Sequence, residues 1–453
     1  MGAAVIFACA PTQKKEIQTE IPALLAAKPP MGWNSWDCYG IDVNEQQVKA
    51  NAEYMAANLK ASGWEYIVVD LGWYIDPALN ILTFKNENPP QAMDEFGRLI
   101  PNVQKFPSAA NGQGFKQLAD YVHGLGLKFG IHIMRGIPWQ AVEQNVNIKG
   151  TEYKAANITN VNDTCVWYDG MFGVDYTKPG AQEYYNSIVA LYAEWGVDYI
   201  KADDMSRPYH KEEITLLSNA IKNCGRPIVL SLSPGASPVT EVEHLQANAN
   251  LWRVSNDFWD DWKFLKQAFE YARLWQPYIK PGAWPDADML PLGKLRVTGS
   301  DDYVAEHLNT TPDKITNEFS RFTTNEQVTL MTLWCIIKSP LMFGGNLPET
   351  DDFTLKLITN KDALHVNQHS VNNRELRFDE TSSVWTANDP ETSAHYLALF
   401  NTGETAKVIT VSTKEFANNK KMQFSEIWNG TTISAKEISI EIPPHGTKFY
   451  KVN

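Results

Sequence analysis

The segment Tyr66-Ile67-Val68-Val69-Asp70 is a continuous apolar run that ends in a carboxylate. A strand that is apolar on both faces must be covered on both, and a parallel sheet layered with helices meets that demand. The pattern recurs. Residues 31–36, 128–133, 198–203, 227–232, 251–254, 282–284 and 340–343 read as further strands. Helical periodicity occupies 46–59, 115–124, 181–195, 212–223, 260–275 and 325–338. Eight alternations over about 320 residues predict an α/β fold, a (β/α)8 TIM barrel with long insertions. From about residue 370 short strand-like runs separated by turn residues take over. The clearest is Ile438-Ser439-Ile440-Glu441-Ile442, a strict apolar/polar alternation. A C-terminal antiparallel β-sandwich is therefore expected. The predicted organisation is a leader and linker over 1–28, the catalytic barrel over 29–369 and the β domain over 370–453.

Composition narrows the partners. Forty Lys and Arg against 53 Asp and Glu give a formal charge of −13, a field that repels nucleic-acid backbones. No apolar run is long enough to span a bilayer as a helix. The 15 Trp, 18 Tyr and 19 Phe beside surplus carboxylates suit sugar rings and glycosidic chemistry, and equally fit any large, well-packed acidic protein. The first residues end a short apolar stretch at Cys9 before a polar linker, which resembles a bacterial lipoprotein leader with a lipid tether on Cys9. The expectation is an exported, periplasmic or membrane-tethered protein. A cytoplasmic chain is the alternative, because no positive segment precedes the apolar stretch. Cys38, Cys165, Cys224 and Cys335 form no C-x-x-C pair and read as free thiols.

In such a barrel the reactive groups gather at the C-terminal ends of the strands. That rule selects Trp36, Asp70, His132, Lys201, Asp203, Asp204, Ser233, Arg253, Asp257 and Asp286. Lys201 and Asp203 lie two residues apart on one strand, so both point to one face and Lys201 can hold Asp203 ionised. A structural ion pair at a strand end is the competing reading. Among Asp257, Asp260 and Asp261, one reads as a helix N-cap or first-turn acid. His132 has no partner at metal-ligand spacing and reads as a hydrogen-bonding pocket residue or a satisfied core histidine. No nucleotide fingerprint follows a strand, and G-x-S-x-G is absent.

The segment Pro-Pro-Met31-Gly-Trp-Asn-Ser-Trp36 resembles the opening of glycoside hydrolase family 27, the α-galactosidase and α-N-acetylgalactosaminidase family. Gly196-Val-Asp-Tyr-Ile-Lys-Ala-Asp203, Arg253…Asp257, Trp284-Pro-Asp-Ala-Asp-Met-Leu290 and Gln327…Leu333-Trp334…Ser339-Pro340-Leu341 extend the likeness in order. The resemblance implies Asp203 as nucleophile and Asp257 as general acid/base of a retaining exo-glycosidase, with no metal or organic cofactor. It further implies Lys201 and Arg253 on sugar hydroxyls, Trp36 as an apolar wall and Asp70 as acceptor near the axial 4-hydroxyl.

Three departures bear on the sugar. Leu71 stands where the family usually has a second acid that helps hold the C6 hydroxymethyl of galactose. An apolar residue there resembles the family's β-L-arabinopyranosidases, whose sugar lacks C6. Ser233 and Ala236 resemble the small pair of the α-N-acetylgalactosaminidases, and His132 replaces a common Tyr. Release of terminal α-D-galactose from an oligosaccharide or glycan is the leading expectation. The N-acetylgalactosaminide and the arabinoside are its alternatives. A sugar-binding protein that had lost catalysis would lack one carboxylate of the pair, and both are present.

Overall fold

The computed structural model describes residues 1–2, 24–79, 88–298, 305, 311 and 318–453. The lipid site expected at Cys9 lies outside these residues. Among them no helix is long and apolar enough to cross a membrane.

The eight barrel strands are β1 Met31–Asn34, β2 Tyr66–Val69, β3 Lys128–Met134, β4 Tyr199–Asp203, β5 Val229–Leu232, β6 Leu251–Arg253, β7 Trp284–Asp286 and β8 Leu341–Phe343. They form one parallel sheet in the order β7-β6-β5-β4-β3-β2-β1-β8. The chain just past β7 brings the two ends together: Leu290 N–H donates to Met342 O at 2.7 Å, and Gly344 N–H donates to Leu290 O at 3.0 Å. The first strand is shorter than its apolar run, because Trp36 already opens a helical turn, Trp36–Tyr39.

Strand alternation explains what fills the barrel. Tyr66, Val68, Tyr199, Val229, Leu251 and Trp284 form an inner cluster, while Ile67, Val69, Ile200 and Ala202 pack outward in the cluster that includes helix residues. Continuing the inward series by two residues carries Val68 to Asp70 and Tyr199 to Lys201 and Asp203. The apolar layer thus forms a floor beneath the charged strand ends.

Part of the long loop after β3 is structured. Thr159–Cys165 pairs antiparallel with Tyr168–Val174, and the turn of this hairpin carries Val166 and Trp167. Its polar, irregular sequence hides the hairpin from periodicity arguments.

The C-terminal strands are β9 Val371–Asp379, β10 Ser382–Asn388, β11 His395–Asn401, β12 Lys407–Ser412, β13 Met422–Glu426, β14 Thr432–Ala435, β15 Glu437–Ile442 and β16 Thr447–Val452. One sheet runs β9-β10-β11-β16-β13-β14, and β12 pairs with β15. Ile409, Val411, Ile438 and Ile442 of the small sheet pack with Leu397, Leu399, Phe424 and Val452 of the large one. The other face of the large sheet docks on barrel helices. Trp385, Ala398, Phe400 and Phe449 join the barrel core, with Phe269 and Phe400 ring centroids 5.0 Å apart. Cys38, Cys165 and Cys335 are buried free thiols, and Cys224 is a half-buried one.

Candidate active site

The C-terminal ends of the strands surround a pocket of about 240 Å³. Trp36, Asp70, Leu71, Lys201, Asp203, Arg253 and Asp257 all line it. These seven come from four strand ends and lie up to 221 positions apart in the chain (257 − 36).

Asp203 ends β4. His132, wholly buried on the neighbouring strand, places Nε2 3.1 Å from Asp203 Oδ2, and the Asp204 N–H donates to Asp203 Oδ1 at 2.9 Å. Burial by itself pushes the Asp203 carboxyl up. The His132 hydrogen bond and charge, the Lys201 ammonium and the Asp204 amide outweigh it and hold the group below the usual range. An ionised carboxylate at the pocket wall is what a nucleophile requires.

Lys201 corrects the simplest reading of the strand. It shares a face with Asp203, but its Nζ donates to Asp70 Oδ2 at 2.8 Å, and Asp203's bonded partner is His132. The β3–β4 register sets His132 beside Lys201, so both side chains rise between the two carboxylates. Asp70 also accepts from Asn34 Nδ2 at 2.6 Å, and its own N–H donates to Ser35 Oγ at 2.9 Å. Burial again pushes its carboxyl up. Lys201, His132 and Asn34 prevail and hold it well below the carboxylate range.

On the opposite wall Arg253 Nη2 contacts Asp257 Oδ1 at 3.2 Å and Asp288 Oδ2 at 2.7 Å. Asp288 is buried and Asp257 is 41% exposed, so one carboxylate anchors the arginine while the other faces the mouth. Asp286 lies below them, its carboxyl pushed up to about 6 by burial and by Asp288. Asp261 is the helix N-cap of the acidic trio, accepting from Lys263 N–H at 2.9 Å. Asp260 pairs with Arg296 at 3.0 and 2.8 Å, which leaves Asp257 to the pocket.

Ser233 and Ala236 flank the site without lining it. Ser233 is buried, and Pro234 supplies the wall between them. Gly235 lets this loop lie against the next one, since a Cβ there would fall 1.8 Å from Ser255 O. Asp204 points away, into Arg135 Nε at 2.9 Å. Arg135 also binds Asp163 and Glu213, tying the hairpin to the end of β4.

Sequence reasoning missed Asp37, Val166, Trp167, Arg207, Asn256, Trp259 and Met289 as lining residues. Asp37, beside Trp36, was within reach of the strand-end rule. The hairpin residues carry no sequence signal, because a long connection brings them back over the mouth.

Comparison with known proteins supports the same conclusion. The family model described as alpha galactosidase A matches residues 28–175 and 163–308, and the alpha galactosidase C-terminal beta sandwich domain matches 379–452. Alpha-galactosidase 2 of Arabidopsis thaliana is 26% identical over 94% of this chain and 89% of its own. A β-L-arabinopyranosidase from Geobacillus stearothermophilus, solved in complex with arabinose, is 46% identical over 94% of this chain and 97% of its own, with a TM-score of 0.89. A putative α-N-acetylgalactosaminidase from Bacillus halodurans is 44% identical over 96% and 98%, with a TM-score of 0.83. Barrel, sandwich and matched segments run in one order along one chain, which belongs to glycoside hydrolase family 27 and is a glycosidase.

Proposed function

We propose that this glycosidase releases terminal β-L-arabinopyranosyl groups with retention of configuration, using Asp203 as nucleophile and Asp257 as general acid/base. The observation that carries the sugar assignment is Leu71. Its buried apolar side chain lines the pocket directly after Asp70, so that wall offers nothing to a C6 hydroxymethyl group. Desolvating a hydroxyl against it without a hydrogen bond is unfavourable. A pyranose with galactose-like hydroxyls and no C6 meets no such penalty. The likeness to the Geobacillus arabinopyranosidase supports the same choice. This reading displaces α-galactoside from first place to second. The acetamido sugar is less favoured, because Ser233 and Ala236, on which its accommodation rests, do not line the pocket.

In the first step Asp203 attacks the anomeric carbon while Asp257, facing the mouth, protonates the departing oxygen. In the second, Asp257 takes a proton from water, which displaces Asp203. Lys201 and Asp70 present donors and acceptors to the ring hydroxyls, and Trp36 offers a flat apolar face. Retention requires the two carboxyls to stand about 5–5.5 Å apart.

A panel of nitrophenyl β-L-arabinopyranoside, α-D-galactoside and α-N-acetylgalactosaminide tests the assignment. The arabinoside is expected to lead in kcat/KM by about tenfold or more. A galactoside preference would overturn the reading of Leu71.

A further inference from the structure

We propose that Asp37 is a substrate-binding residue whose carboxyl group hydrogen-bonds a ring hydroxyl of the terminal sugar. The inference rests on the reading of this pocket as a glycone site and adds a contact to it.

Asp37 follows Trp36 on the helical turn after β1 and lines the pocket, yet only 5% of the residue is exposed. Its Oδ2 is fully buried without a hydrogen-bond partner, and among the described residues no donor reaches the carboxyl. The absence is specific, because the nearby cations are committed elsewhere. Lys201 donates to Asp70 at 2.8 Å, Arg296 forms a two-point pair with Asp260, and Arg253 holds Asp288 at 2.7 Å. The opposite wall of this slot is the backbone at Gly344, where a Cβ would stand 2.1 Å from Asp37 Oδ2. The glycine therefore makes room for the carboxyl.

A buried carboxylate without a counter-ion is costly, and keeping its proton is the cheaper state. Burial pushes the Asp37 carboxyl up. Asp288 and Asp260 act in the same direction, and Lys201 and Arg296 act against them without prevailing. A neutral carboxyl offers one donor and one acceptor, which matches a sugar hydroxyl as partner. Oδ2 is sealed against Gly344, so the sugar hydroxyl meets the other carboxyl oxygen, which likewise has no partner among the described residues.

The test measures competitive inhibition by the free sugar from pH 5 to pH 9, using whichever nitrophenyl glycoside the panel ranks first. The substrate ranking is thus decided separately, and its failure leaves the Asp37 test intact. In the wild type, sugar affinity should fall on the alkaline side as Asp37 loses its proton. Asp37→Asn, which keeps a donor and an acceptor without a titrating proton, should remove that limb. It should also bind the sugar about tenfold more tightly than Asp37→Ala at pH 6. An unchanged alkaline limb in Asp37→Asn would overturn the proposal, as would equal affinities of Asp37→Asn and Asp37→Ala. If Asp37→Ala does not fold, the pH comparison between wild type and Asp37→Asn decides.

Discussion

His132 Nε2 stands 3.1 Å from Oδ2 of Asp203, and no part of the His132 ring reaches solvent. This contact is the leading influence that keeps a half-buried carboxyl below its ordinary range. As the proposed nucleophile Asp203 must be ionised to attack, so activity should be lost as pH falls through its pKa in the folded state. In His132→Phe burial acts with less opposition and that pKa rises. The acid limb of kcat/KM should therefore move to higher pH, with about a tenfold loss at pH 5 and a smaller one at pH 7. A limb that does not move would show that His132 leaves Asp203 unaffected.

Asp203→Ala should lower kcat by at least about 10³-fold while the thermal transition stays in place. A 2-fluoro glycoside should label the wild-type protein at Asp203, read by peptide mass spectrometry. Label on another carboxylate would reassign the nucleophile. Asp257→Ala should lose about 10²- to 10⁴-fold on poor leaving groups and far less on nitrophenolates, which depart without a proton.

Leu71→Asp returns an acceptor to the wall next to Asp70. The ratio of galactoside to arabinoside kcat/KM should rise by about tenfold or more, since a site built to hydrogen-bond a hydroxyl discriminates by its presence. A ratio unchanged in the variant would place the C6 selection elsewhere in the pocket.

Lys201 is the principal charge opposing burial at Asp70, whose side chain is 3% exposed. Lys201→Met strands that carboxylate and should cost about 3 kcal/mol at pH 7, measured by urea denaturation. The sign with pH follows from the depressed pKa in the folded state. Asp70 contributes stability above the ordinary carboxylate range and loses it as pH falls through its folded value. In the variant the carboxyl titrates higher, so the deficit should shrink between pH 7 and pH 4. Asp70→Asn added to Lys201→Met should recover most of it at pH 7.

Arg135 binds Asp163 of the hairpin, Asp204 beside Asp203 and buried Glu213. Arg135→Lys keeps the charge but loses the fork that spans three carboxylates. KM should rise more than kcat falls, because the hairpin bearing Trp167 is held less firmly over the mouth. Equal changes in both would assign Arg135 to the chemistry at Asp203 instead.

Much of this protein was settled by its amino-acid sequence alone. Buried parallel strands need apolar residues on both faces, so runs such as Tyr66–Val69 announce themselves, and a carboxylate closing such a run marks the reactive end. Asp70, Lys201, Asp203 and Arg253 were legible from the strand ends and Asp257 through the family resemblance, and all line one pocket. Tertiary structure alone decided which charge serves which. Alternation puts Lys201 and Asp203 on one face, but the register between β3 and β4 gives Asp203 to His132 and leaves Lys201 to Asp70. It also decided that Pro234 rather than Ser233 or Ala236 meets the cavity, and that a polar hairpin returns Val166 and Trp167 to its mouth. Local periodicity reports only which face of an element is buried. The partner of a buried charge depends on the register and approach of elements far apart in the chain, and these are set only when the barrel closes.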